Sequence, residues 1–219
     1  MSGTDEADDG VGAVADRVRS MTDAVPVPPF RLMLPEGWQE LPADEAGVRM
    51  LVERSSEVFR SQHRPDLDAQ FRRLMQSAAR KLAQGRVFAL YLQTDVPAER
   101  ILPISMTAAV ADGQLGGTLD RQVGELFRDR GAEFLTDDRA IVRWQADTRA
   151  GGELEGTPAR VVNYLIAVPG TGRRTALLFT TTIPYPAEED DGFRDAFVDE
   201  LCLLSDTIVS TFAWEPVEA

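Results

Sequence analysis

Between residues 139 and 183 the chain settles into a two-residue period, and no other feature constrains its fold as strongly. The runs RAIVRWQAD (139–147), ARVVNYLIAV (159–168) and TALLFTTTI (175–183) are rich in Val, Ile, Tyr, Phe and Thr. Such branched and aromatic side chains suit a pleated, half-buried surface. GGELEGTP and PGTGRR separate the runs, and both carry strong turn residues. Three strands joined this way predict an antiparallel meander.

Elements of the other period surround it. Leu67, Phe71, Leu74, Met75, Ala78 and Leu82 recur at helical spacing, which predicts an amphipathic helix over 66–84, started at Pro65 and Asp66 and stopped at Gly85. A less regular helix is expected over 46–61. Leu119, Val123, Leu126 and Phe127 predict a short helix with Thr118 as its N-cap. Phe193, Phe197, Leu201, Leu204, Ile208 and Phe212 predict a closing helix whose acidic first turn complements the helix dipole.

RVFALYLQ (86–93) and ILPISMTAAV (101–110) read as two further strands, with Pro103 at a strand end or edge. FRLMLPEGW (30–38) alternates Phe30, Leu32 and Leu34 with Arg31 and Met33, as a strand with one buried face does. Pro35 is expected at i+1 and Gly37 at i+3 of a type I turn, with Trp38 filling the core near Trp214. Strands and helices do not alternate regularly. The fold class is therefore α+β, a mainly antiparallel sheet flanked by helices in an α/β/α-like sandwich, rather than a doubly wound parallel sheet. Residues 1–29, acidic and ending in VPVPP, are expected to be a disordered tail, and 30–219 a single domain.

The composition excludes several chemistries. The 219 residues carry 36 Asp and Glu against 23 Lys and Arg, a formal charge of -13, which repels nucleic-acid backbones and anionic membrane surfaces. Lys81 is the single lysine, as codon bias in a GC-rich genome would give. No run of 18 apolar residues occurs, and MSGTDEADDG has neither the basic nor the apolar part of a signal peptide, so a soluble cytoplasmic protein without membrane insertion is expected.

One cysteine, Cys202, and one histidine, His63, cannot supply an intramolecular disulfide or a soft-ligand metal site. No Gly-x-Ser-x-Gly elbow is present. His63 reads as an exposed connector residue, and Cys202, beside an apolar helical stripe, as a buried inert thiol. GTGRRT (170–175) lacks the third glycine of a dinucleotide fingerprint and joins two strands, so it reads as a hairpin turn. DGQLGGT (112–118) has no P-loop lysine. EEDDG (188–192), aligned on Gly192, lacks the EF-hand acids that Ala187 and Val198 would have to supply. Neither cofactor nor metal is expected.

The element order, the opening FRLMLPEGW and the closing DTIVSTFAW (206–214) resemble the PsbP-like superfamily over about residues 30–214. That group includes a photosystem accessory protein, a eukaryotic Ran-binding import factor and actinobacterial LpqN-type lipoproteins. Resemblance implies an accessory or binding role without catalytic residues, and it carries no site residue across. Two features depart from the pattern: the helical stretch from Gly47 to Gly85 is long, and no lipobox cysteine is present.

Two functional expectations follow. The first is a non-enzymatic interaction or assembly-accessory module that docks a protein partner on a sheet edge, on an acidic surface, or on the basic residues Arg72, Arg73, Arg80 and Lys81 of the 66–84 helix. The alternative is a small-molecule or lipid-binding protein with a pocket between sheet and helices, lined by Trp144, Tyr164 and Phe179.

Overall fold

The structure, a computed structural model, describes residues 27–61, 86–97, 100–114, 117–149, 157–186 and 191–216. The predicted helix over 66–84, with Arg72, Arg73, Arg80 and Lys81, lies outside the described residues, as do His63, residues 1–26 of the expected tail and most of EEDDG. In chain order the elements are β1 (Phe30–Arg31), β2 (Trp38–Pro42), α1 (Glu45–Ser61), β3 (Val87–Gln93), β4 (Ser105–Asp112) and α2 (Asp120–Asp129). They continue with β5 (Glu133–Phe134), β6 (Ile141–Arg149), β7 (Pro158–Ala167), β8 (Thr175–Pro184), α3 (Asp191–Ser210) and β9 (Ala213–Trp214).

Seven strands form one antiparallel sheet in the order β2-β3-β4-β8-β7-β6-β5. The meander β6-β7-β8 is as its period predicted. After β4 the chain crosses through α2 to the far edge, and the meander then walks back until β8 pairs with β4 over eight residues. The fold is α+β, with helices on both faces of an antiparallel sheet. On one face α3 sets Val198, Leu201, Cys202, Ile208 and Val209 into the main core with Tyr91, Val162, Tyr164 and Phe179. On the other, Leu51 of α1 packs on Leu41, Leu90 and Ala109, and α2 packs Val123, Leu126 and Phe127 on Val142 and Leu165.

Local chemistry explains the boundaries. Asp44 caps α1, its Oδ1 accepting from Ala46 N at 2.9 Å and Gly47 N at 3.0 Å. Gly47 is needed there because a Cβ would collide with Pro42 O as the helix folds back on β2. The N-cap of α2 is Leu119, with no side-chain cap, and not Thr118. Leu119 is already in helical φ/ψ and is buried, and its N–H is held by Arg173 O at 2.8 Å. The helix therefore starts one residue later than the hydroxyl suggested.

The opening stretch is also reassigned. Phe30, Leu32 and Leu34 are half-buried and Arg31 and Met33 exposed, so the alternation in burial is real. Only Phe30 and Arg31 pair as a strand, with Trp214 and Ala213, in a separate two-stranded ribbon. Pro35 O accepts from Trp38 N at 3.1 Å, which places Pro35 at position i and Gly37 at i+2. The φ of +80° at Gly37 is what a type II turn demands of i+2. Trp38 is buried in the main core, and it opens β2, an edge strand the sequence reading had not anticipated. Val27, too, belongs to this core.

Candidate interaction surface

Residues directly opposite each other in an antiparallel pair share a face, so register decides what the meander can present. Tyr164 lies opposite both Arg143 and Phe179, whereas Trp144 lies opposite Asn163. Tyr164 and Phe179 are fully buried in the main core, and Trp144 is half-buried on the other face with the α2 cluster. The three aromatics expected to line one pocket are thus separated by the thickness of the sheet.

On the core face, Tyr164 belongs to a polar network that ties α3 to the meander. Its hydroxyl donates to Asp206 Oδ1 at 2.7 Å and lies 2.8 Å from Ser205 Oγ, which is 2.6 Å from Thr181 Oγ1. Arg143 Nε donates to the same Asp206 oxygen at 2.8 Å, and Arg143 Nη1 reaches Glu133 at 3.3 Å. Burial, reinforced by the Asp206 carboxylate, pushes Tyr164 far above its ordinary value, so its phenol stays protonated and acts as a donor. Burial pulls the Arg143 pKa down, but the hydrogen bond and charge of Asp206 outweigh it and the guanidinium is held more firmly charged. Cys202 is buried and free, and burial raises its pKa against the pull of Arg160 and Arg143. A thiol held protonated is a poor nucleophile.

On the opposite face, a cleft of about 470 Å³ runs between α2 and the sheet. Trp144, Leu165 and Leu178 form its floor, and Asp112, Glu125 and Arg130 stand at its rim. Asp112 is paired with Arg86, whose hydrogen bond holds the carboxyl below its ordinary range against burial, with help from Thr175. Glu125 is paired with Arg121 at 3.1 Å. The rim is therefore largely neutralised from within.

The far edge of the sheet is built differently. β5 pairs only with Val142 and Arg143 of β6, while β6 continues to Arg149 in unbroken register with β7. Leu135 N donates to Ile141 O at 3.0 Å, so odd-numbered residues of β6 aim their main-chain groups away from β7. Gln145 and Asp147 accordingly turn their N–H and C=O outward past the end of β5, and among the described residues no strand lies across them. Both side chains are exposed. An edge of this kind is a template for another strand.

No family model matches the sequence, and no curated protein matches it. Among solved structures, the Ran-binding protein Mog1p of Saccharomyces cerevisiae is 15% identical, with a TM-score of 0.36 over 57% of this chain and 78% of that one. A point mutant of Mog1 is 13% identical, with a TM-score of 0.37 over the same shares. Likeness at this level moves neither a partner nor an activity from one chain to another.

Among the described residues no cluster of three His, Cys, Asp or Glu could hold a metal ion, and no helix is long and apolar enough to cross a membrane. A sheet edge is among the docking surfaces expected from the sequence, but the sequence does not place it. The missing information was the length of β5, because RAIVRWQAD shows a long strand and nothing in GAEF announces a two-residue neighbour.

Proposed function

We propose that this chain is a non-catalytic protein-interaction module of the cytoplasm that docks its partner by strand addition at the outer edge of β6. The carrying observation is the outward main chain of Gln145 and Asp147 beyond the end of β5. Strand addition draws affinity from main-chain hydrogen bonds and specificity from alternate side chains. Here those side chains would meet Trp144, Ala146 and Thr148 on one face and Gln145 and Asp147 on the other. Gln145→Pro removes an outward N–H and leaves the β7 ladder intact, as proline on an edge strand does. The wild-type protein should recover its partner by affinity capture and Gln145→Pro should lose it at an unchanged melting temperature; capture unaffected by the proline would refute this docking mode.

A second reading is supported by the cleft under α2. Its volume lies within the span of about 300 to 1,000 Å³ common to small-molecule sites, and Trp144 gives it an aromatic floor. Native mass spectrometry of freshly purified protein tests it: a retained small molecule that Trp144→Ala releases supports a ligand site, and a bare chain mass counts against one.

A further inference from the structure

The edge of β6 is complementary to itself, and we infer that its partner is a second copy of this chain, with two β6 strands paired antiparallel about a two-fold axis through Ala146. This rests on the docking reading above and goes further by naming the occupant.

A two-fold pairing that keeps each face of the sheet continuous sets residues of like parity opposite each other, which leaves few registers. With Asp147 on the axis, two carboxylates face each other, and like charges directly opposite are destabilising. With Thr148 on the axis, the paired stretch extends beyond Arg149 and out of β6. With Ala146 on the axis, Gln145 of each copy meets Asp147 of the other, and Trp144 meets Thr148. Those two pairs lie beyond the last residue that β5 covers, and Arg149, which would come opposite Arg143 where Glu133 already sits, must leave the edge in each copy.

The side chains fit that register. Gln145 Oε1 already accepts from Arg143 Nη2 at 3.0 Å, which fixes the amide and turns its N–H donors to the Asp147 carboxylate across the axis. Asp147 receives Arg160 Nε at 2.6 Å and the Tyr185 hydroxyl at 3.4 Å on Oδ1, and its second oxygen remains to accept. On the other face, the half-buried Trp144 ring would lie over Thr148, an aromatic and β-branched pair of the kind that stabilises sheets. Ala146 is small enough to let the strands close at the axis. Even-numbered residues form the non-hydrogen-bonded pairs, whose Cα atoms stand about 4.5 Å apart. Glu133 of β5 ends the open stretch on either side.

The test is cysteine cross-linking with sedimentation velocity on the full chain. Ala146→Cys should form a covalent dimer under mild oxidation, since its Cα separation suits a disulfide, and Thr148→Cys should not, because the two copies of residue 148 lie four positions apart. Wild-type protein, whose Cys202 is buried, should stay uncross-linked while sedimenting as a concentration-dependent dimer. Gln145→Pro should sediment as a monomer with an unchanged far-UV spectrum. A wild-type monomer throughout the micromolar range, cross-linking at Thr148→Cys in preference to Ala146→Cys, or a dimer that survives Gln145→Pro would each overturn the inference. A monomer whose edge amides still exchange rapidly removes the self-pairing and leaves the docking reading standing.

Discussion

The two faces of the seven-stranded sheet are built on different plans. One is closed by the twenty-residue helix α3 and the β1–β9 ribbon, which pack Phe30, Phe179, Phe212 and Trp214 ring against ring, with the Phe212 and Trp214 centroids 4.9 Å apart. A polar network of Arg143, Tyr164 and Ser205 crosses it through Asp206 and Tyr164. Among the described residues, the other face carries two helices over two separate small clusters, and the cleft with Trp144 opens under one of them. Stability is therefore concentrated on the α3 side. The cleft and the edge of β6 leave a half-buried Trp and main-chain groups available to a partner, and a recess of about 680 Å³ lies beside the start of α3, between Tyr185, Arg194 and Phe197.

Substitutions that strike one side or the other test the contrast. The largest effect is expected from Phe179→Ala, which opens a cavity in the closed core and should cost about 3 to 5 kcal/mol in chemical denaturation. Asp206→Ala comes next. It leaves the Arg143 guanidinium, 13% exposed, with the exposed Glu133 as its remaining counter-charge and the Gln145 amide oxygen as a neutral acceptor. Breaking a fully buried pair costs about 3 to 5 kcal/mol, and with Asp206 itself 21% exposed roughly 2 to 3 is expected. The comparison fails if both substitutions leave stability within the scatter of surface changes.

Trp144→Ala should cost less than either, about 1 to 1.5 kcal/mol, since full burial of a large apolar side chain supplies roughly 1.5 to 3 and Trp144 is only half-buried. A loss as large as that of Phe179→Ala would place Trp144 in a core and remove the contrast. The smallest effect concerns pH. The folded Asp112 carboxyl sits below its ordinary value of 3.8, so the fold favours its ionised form. Its contribution is complete above that ordinary value and is lost as pH falls through the folded one. The pair is well exposed, and about 0.2 to 1 kcal/mol is at stake. Denaturation curves of wild type and Arg86→Ala should differ at neutral pH and converge in strong acid; a gap that widens in acid contradicts the assignment.

How much of this was legible in the sequence depended on how local each signal was. The meander, α2, α3 and the hairpin at Gly170 and Gly172, both at positive φ, follow from periods and turn residues within a few positions of one another. β2 escaped because Trp38–Pro42 is short and carries exposed Gln39 and Glu40 in its middle. The pairing of β4 with β8 joins residues more than sixty positions apart, a separation that no local pattern encodes.

The site was legible in part, for the same reason. In the sequence Trp144, Tyr164 and Phe179 look alike, each an aromatic within a strand-like run. Their faces depend on register across the 150–156 connection, and one residue of slip moves a side chain to the opposite face. The link from Arg143 to Asp206 was hidden by the same distance in sequence. The open edge of β6 appears only when its partner β5 is seen to stop.

The central claim is that the outer edge of β6 is open in the monomer, and amide hydrogen exchange measured residue by residue in dilute protein tests it most directly. Gln145 and Asp147 N–H should exchange rapidly while Trp144, Ala146 and Thr148 N–H, aimed at β7, stay protected, a two-residue alternation along one strand. Uniform protection of all five amides in a demonstrated monomer would mean that the edge is already covered by the chain itself, and would contradict the account.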